Sequence, residues 1–224
     1  SRRMVFEFGL RDYIDPLSIN QLMRDKFSLT KEDLFTNLRG MQADELIERF
    51  DISSYNSQLS VIENIAFGLI DEQNEHQTLQ QIAHSPPFVK ALQNSNLYKT
   101  LRDIGEKLSY HILHQIEEME SDKQTNNSYQ FYDVDCVRKE LAQCIGHPDH
   151  LPSCEFLLSM ALSLRVNKHS EQWINETLQQ DILALRKQLI HSPIGGFFNH
   201  FEPLRKGSLN GRLNLMENLL WGFE

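Results

Sequence analysis

Cysteine is scarce, with three in 224 residues, and Cys136, Cys144 and Cys154 cannot all pair within one chain. No disulfide framework follows, and a reducing, cytoplasmic setting is expected. Positive charge is in deficit: 22 Lys and Arg stand against 31 Asp and Glu, a formal charge of -9. That excludes a general nucleic-acid surface, which needs a basic footprint to displace counterions from phosphates. No apolar run approaches the ~20 residues that span a bilayer. The opening SRRMVFEFGL is too short, and too acidic afterwards, for a secretory signal. Also lacking are a Gly-x-x-x-x-Gly-Lys-Ser/Thr loop, a Gly-x-Gly-x-x-Gly turn, a Gly-x-Ser-x-Gly elbow and a His-Glu-x-x-His pair. Nucleotide chemistry cannot be assembled from this chain alone, and no cofactor is expected in it. Only 10 Gly and 7 Pro, with 40% hydrophobic residues, exclude fibrous and disordered classes.

What is present has helical spacing. Leu97, Leu101, Ile104, Leu108, Ile112, Ile116 and Met119 mark one face of a helix over about six turns. Ile174, Leu178, Ile182, Leu185 and Leu189 form a second stripe, widened by Trp173 and Leu183. Val137-Leu141-Ile145 and Phe156 to Leu164 predict two more helices, the latter started by Pro152-Ser153. Asp15-Pro16 and Thr30 read as caps, giving short helices near 16–26, 31–39 and 42–49. His84-Ser85-Pro86 and His191-Ser192-Pro193 each follow a helical run and read as helix ends. Period-two alternation is rare. The fold expected is all-α, an irregular multi-helix bundle with two long amphipathic helices. It forms a single domain over 1–224, or an N-terminal helical segment 1–70 followed by a bundle 71–224.

Few groups suggest chemistry. Cys144, His147, His150 and Cys154 supply zinc-compatible ligand types, but all four fall within one loop and a helix start, where ordinary loop histidines and buried thiols are the simpler reading. Glu117, Glu118 and Glu120 form a solvated acidic run, and His111 and His114 are helix-face residues. Cys136, in the acidic stretch DVDC, has surroundings that disfavour a thiolate.

One phrase occurs twice. Leu59-Ser60-Val61-Ile62-Glu63-Asn64-Ile65-Ala66-Phe67-Gly68 aligns with Leu213-Asn214-Leu215-Met216-Glu217-Asn218-Leu219-Leu220-Trp221-Gly222, with Leu, Glu, Asn and Gly identical and most other positions apolar. Upstream, Phe50 to Asn56 has a looser echo from Phe201, at a different spacing. The physical reading is a short helix capped by Ser60 or Asn214, with Glu in its first turn and a Phe/Trp-Gly end. This is a repeated local element rather than a duplicated domain.

The phrase resembles the segment after the Q loop of exporter-type ATP-binding cassette proteins, where Glu-Asn-Ile/Leu-x-Phe/Trp-Gly begins the helical subdomain. Phe50-Asp51-x-x-x-Tyr55-Asn56-x-x-x-Ser60-Val61-x-Glu63-Asn64-Ile65-x-Phe67-Gly68 is similar to a bacterial subgroup with extended helical regions, and Val5-x-x-Phe8-Gly9-Leu10-Arg11-Asp12-x-x-Asp15-Pro16 fits that subgroup's lead-in. The likeness covers about a third of the chain, in three patches. Walker A, Walker B, the Leu-Ser-Gly-Gly-Gln signature and a Gln-x-Pro Q loop are missing, so no catalytic residue carries over. Glu63, Asn64, Phe67 and Gly68, with Glu217, Asn218, Trp221 and Gly222, match motif positions. The resemblance implies a non-catalytic helical insertion, itself a piece of a longer cytoplasmic ATPase. It would touch the rest of that ATPase or a membrane-protein partner, and ATP and Mg would be bound elsewhere. A free-standing acidic, all-α protein-interaction module is the alternative from another class.

Overall fold

The computed structural model describes residues 20–40, 49–121, 138–139, 142, 151–166, 172–204, 210–211, 218 and 222–223. Seven helices occur among them: α1 (Gln21–Gly40), α2 (Val61–Ala66), α3 (Glu75–Ala83), α4 (Pro86–Asn94), α5 (Leu97–Ser121), α6 (Leu151–Ser163) and α7 (Glu176–His191). Four short strands accompany them: β1 (Arg49–Phe50), β2 (Gly68–Ile70), β3 (Phe201–Pro203) and β4 (Gly222–Phe223). The described residues are mostly helical, as their spacing predicts, although the four short strands depart from an all-α fold. The strands are too short for alternation to reveal them.

Helix boundaries follow local chemistry. Asn175 caps α7 by accepting from Leu178 N, and the helix stops at His191, before Pro193. Helix α3 ends at Ala83 with His84 as its cap, and Pro86 opens α4, where a missing N–H costs nothing. The N-terminal expectation is corrected. Thr30 starts no new helix: its hydroxyl donates to Lys26 O one turn back, so 21–40 runs on as a single helix. Asn20 caps it, accepting from Met23 N. Arg49 lies in a strand, and most of the helix expected near 42–49, like that around Val137 to Ile145, falls outside the described residues.

The main core joins α2, α3, α4, α5, α6 and α7 with Ile70, Phe197 and Phe201. It draws on both sides of residue 70. Leu97, Leu101 and Ile104 of α5 meet Leu158, Ala161 and Leu162 of α6 within it. Ile112 with Phe156, Leu157 and Met160 extends the contact in a second cluster. Gly105 lets these two helices touch: a Cβ there would sit 1.9 Å from Leu157 O. Aromatic contacts close the far side, with Phe197 stacked on Phe88 at 5.1 Å and tilted against Phe201 at 5.2 Å.

Strand pairing sets the topology. Antiparallel β2 and β3 pair Gly68 with Pro203, Leu69 with Glu202 and Ile70 with Phe201. The chain therefore leaves the first phrase at Ile70 and returns beside it at Phe201. Parallel β1 and β4 pair Arg49 with Gly222 and Phe50 with Phe223. In each pair, a strand leading into one phrase lies against the strand that leaves the other.

Candidate functional site

Ser60 and Glu63 start α2 with a reciprocal capping box. Glu63 Oε2 accepts from Ser60 N and Oγ, both at 2.9 Å, and Oε1 accepts from Ile70 N at 3.2 Å. Arg165 Nη2 lies 3.4 Å from the same carboxylate. The carboxylate thus ties the beginning of α2 to the end of β2, and it is buried. The first free N–H of the helix, on Val61, donates to Leu164 O at 2.9 Å, so α6's end completes the cap.

Asn64 folds the preceding loop back onto this helix. Its Oδ1 accepts from Asn56 N at 2.9 Å, while Nδ2 donates to Asn56 O, Leu59 O and Ser60 O at 2.9, 3.1 and 3.1 Å. Only a short primary amide offers acceptor and donors at that reach. Asn56 and Asn64 are both buried.

Arg186 completes the arrangement from α7 while only 1% exposed. Its Nε donates to Asn64 O, Nη1 to Ile52 O and Ser54 O at 2.7 and 2.9 Å, and Nη2 to Asn64 Oδ1 at 3.1 Å. The guanidinium carbon sits 4.9 Å from the centre of the Phe67 ring, a cation–π contact. Burial pushes the Arg186 pKa down to about 10, opposed by the nearby Tyr55 and Asp51. The group remains a cation at neutral pH. Burial in turn raises the Tyr55 pKa, against the pull of Arg186. Asp51 is held below its ordinary value, first by the Ser53 backbone N–H, then by the Ser53 hydroxyl, with Arg186 adding a smaller share.

Phe67 ends α2 in the left-handed region at φ 49°, its N–H returning to Glu63 O. The sequence suggests a glycine for such an end. Gly68 serves a different purpose: a Cβ on it would lie 3.0 Å from both Glu202 O and Phe201 Cβ, so its bareness gives β3 room.

The second phrase repeats the first in its described atoms. Asn218 Oδ1 accepts from Asn210 N at 2.8 Å, and its Nδ2 donates to Asn210 O at 2.9 Å. Asn56 precedes Asn64 by eight residues, and Asn210 precedes Asn218 by the same eight. A buried cation again meets the carbonyl: Lys31 Nζ of α1 donates to Asn218 O at 2.9 Å. Gly211 N donates to Glu202 Oε1 at 2.8 Å, linking this phrase to β3.

Of the residues singled out in the sequence, Glu63, Asn64, Phe67 and Gly68 come together around α2 and β2, Asn218 is buried in its own bracket, and Gly222 lies in β4. Glu217 and Trp221 lie outside the described residues, as do Cys144, His147 and His150, while Cys154 falls within α6. Among the described residues no group of three or more His, Cys, Asp or Glu is placed to hold a metal ion.

Sequence reading missed the two cations and Asn210, and it gave Asn56 as a motif position without its pairing to Asn64. Asn56 and Asn210 become visible when the alignment is extended upstream, and Arg186 stands out as a charge on the apolar face of Ile182, Leu185 and Leu189. Lys31, four residues from buried Phe27, carries a weaker form of that signal. Chemically, Asn64, Arg186, Asn218 and Lys31 are engaged in holding main chain, and among the described residues an asparagine bracket across eight residues is made twice. No protein-family model matches the chain, and no curated protein or solved structure matches it either.

Proposed function

We propose that the chain is a non-catalytic helical insertion of an ATP-binding cassette ATPase, regulating it or coupling ATP-driven movement to a partner. The observation that carries this reading is the β2–β3 register: Ile70 faces Phe201, so everything between leaves and rejoins the repeated phrase at one place. An excursion of that form adds a lobe without moving the two ends it grows from. In this reading α5 and α7 are the two long amphipathic helices of the lobe. The phrases at its base belong to the helical subdomain that faces membrane-domain coupling helices in the resembled family. ATP and Mg are bound by the remainder of the ATPase, at the inner face of the membrane. Among the described residues no helix is long and apolar enough to cross a membrane.

Two measurements test this. The natural polypeptide is expected to carry a phosphate loop upstream and a signature motif downstream, and a native gene confined to these residues overturns the reading. Titration of this chain with Mg-ATP is expected to give no tight binding, and Mg-dependent affinity would contradict a non-catalytic role.

A free-standing protein-interaction module is the second reading. It is favoured by Leu22 and Leu29, 63% and 60% exposed and two turns apart on α1.

A further inference from the structure

Donors around the first bracket outnumber the acceptors that meet them. The Tyr55 hydroxyl and Asn56 Nδ2 are both buried with no hydrogen-bond partner. Asn56 is 2% exposed and cannot turn its amide to find one, because its Oδ1 already accepts from Gln58 N at 2.9 Å. Arg186 Nε donates to Asn64 O, and Nη1 uses both hydrogens on Ile52 O and Ser54 O. Nη2 gives one hydrogen to Asn64 Oδ1 and keeps the other. These donors belong to one short stretch. Tyr55 and Asn56 are neighbours, Nη1 holds the carbonyl just before them, and Nη2 shares Asn64 Oδ1 with Asn56 N. Charge is unanswered there as well. Every acceptor of the buried guanidinium is a neutral oxygen, and Asp51, whose field reaches it, is bound to Ser53 N and Oγ instead. Buried donors without acceptors and a buried cation without a counter-charge are both costly.

We propose that the inner side of the 52–56 loop binds a small monovalent anion of halide size, held by the Tyr55 hydroxyl, Asn56 Nδ2 and the remaining Nη2 hydrogen, with the guanidinium as its counter-charge. A monatomic ion imposes no geometry on its donors, which suits groups drawn from a phenol, an amide and a guanidinium. A carboxylate or phosphate favours a pair of parallel N–H groups from one guanidinium edge, and Arg186 has given those to main-chain carbonyls. Ile52, Ser53 and Ser54 are exposed, so the loop that Arg186 grips from within faces solvent on its other side. The proposal rests on the first bracket alone and holds whether or not the chain belongs to an ATPase.

Chloride NMR linewidths measured on the full chain test it. Saturable broadening is expected, and Tyr55→Phe, which removes only the hydroxyl, is expected to weaken the affinity about tenfold, as for one hydrogen bond to a charged group. Absence of saturable broadening, or the same affinity in both proteins, overturns the proposal. Denaturant midpoints supply a second readout. As chloride replaces fluoride at constant ionic strength, the midpoint of the unsubstituted chain is expected to rise relative to that of Tyr55→Phe. If the hydroxyl is merely an unpaired group, Tyr55→Phe will be at least as stable as the unsubstituted chain at every chloride concentration, and the anion site is overturned.

Discussion

Asn64 shows how one side chain can fix a loop. Asn64→Ala strips partners from Asn56 N and from the carbonyls of Asn56, Leu59 and Ser60. A loss on the order of 3 kcal/mol is expected, read as a lower denaturant midpoint, and Asn64→Gln should not restore it because the added methylene displaces the amide. Arg186→Met leaves Ile52 O and Ser54 O unanswered and should cost about 3 kcal/mol or more, whereas an Arg-to-Ala change at a solvated position costs little. Lys31 gives a pH signature. Its pKa is pushed down by burial from 10.5 to about 8. Between those values the unfolded chain binds the proton and the folded chain does not, so stability rises with pH, by at most about 1.4 kcal/mol per unit. The rise is expected from about pH 8 to 10 in denaturant titrations and should vanish in Lys31→Met. Above pH 10 the Arg186 and Tyr55 shifts add terms of opposite sign.

At the level of elements, the helical stripes were legible because buried positions recur every three or four residues. Leu97, Leu101, Ile104 and Ile112 are buried on α5, and Ile174, Leu178, Ile182, Leu185 and Leu189 are buried in and before α7. The capping box of α2 was legible too, since Ser60 and Glu63 stand three apart before an apolar run. The continuity of α1 was not, because Thr30 is equally suited to capping a helix and to bonding back within one. The strands escaped for a different reason: two or three residues are too few to establish a period, and their partners lie far away in the chain. Nor could spacing reveal that Gly105 is the contact point of α5 and α6. Gly105→Ala offers about 1 kcal/mol of intrinsic helix preference yet drives a methyl into Leu157 O. A net destabilisation of about 2 kcal/mol is expected in thermal or chemical unfolding, and a neutral or stabilising result would mean that the helices can move apart freely.

At the scale of the whole molecule, the described residues share a core that crosses the base of the excursion. Val61, Ile62 and Ile65 of α2 are buried with residues of α3 to α7, so the lobe is not complete without the phrase at its root. Residues 71–200 expressed alone should therefore unfold without a cooperative transition, while the full chain melts cooperatively. Circular dichroism of the two against temperature decides the matter, and a sharp transition in the shorter piece would show that α2 is dispensable. The sequence hinted at this arrangement through the repeated phrase, but not at its closure. Repetition can be read from identities, whereas the meeting of Ile70 with Phe201 depends on how every intervening helix packs.

That meeting also governs the order of folding. Both strand pairs join segments separated by nearly the whole helical lobe, so they cannot begin as local hairpins and must wait until the lobe has brought their ends together. The helices, built from contacts three and four residues apart, are expected to form first, which pulse-labelled hydrogen exchange during refolding would check. The β2–β3 and β1–β4 pairs are then expected to close last, as a seal on the folded helical excursion.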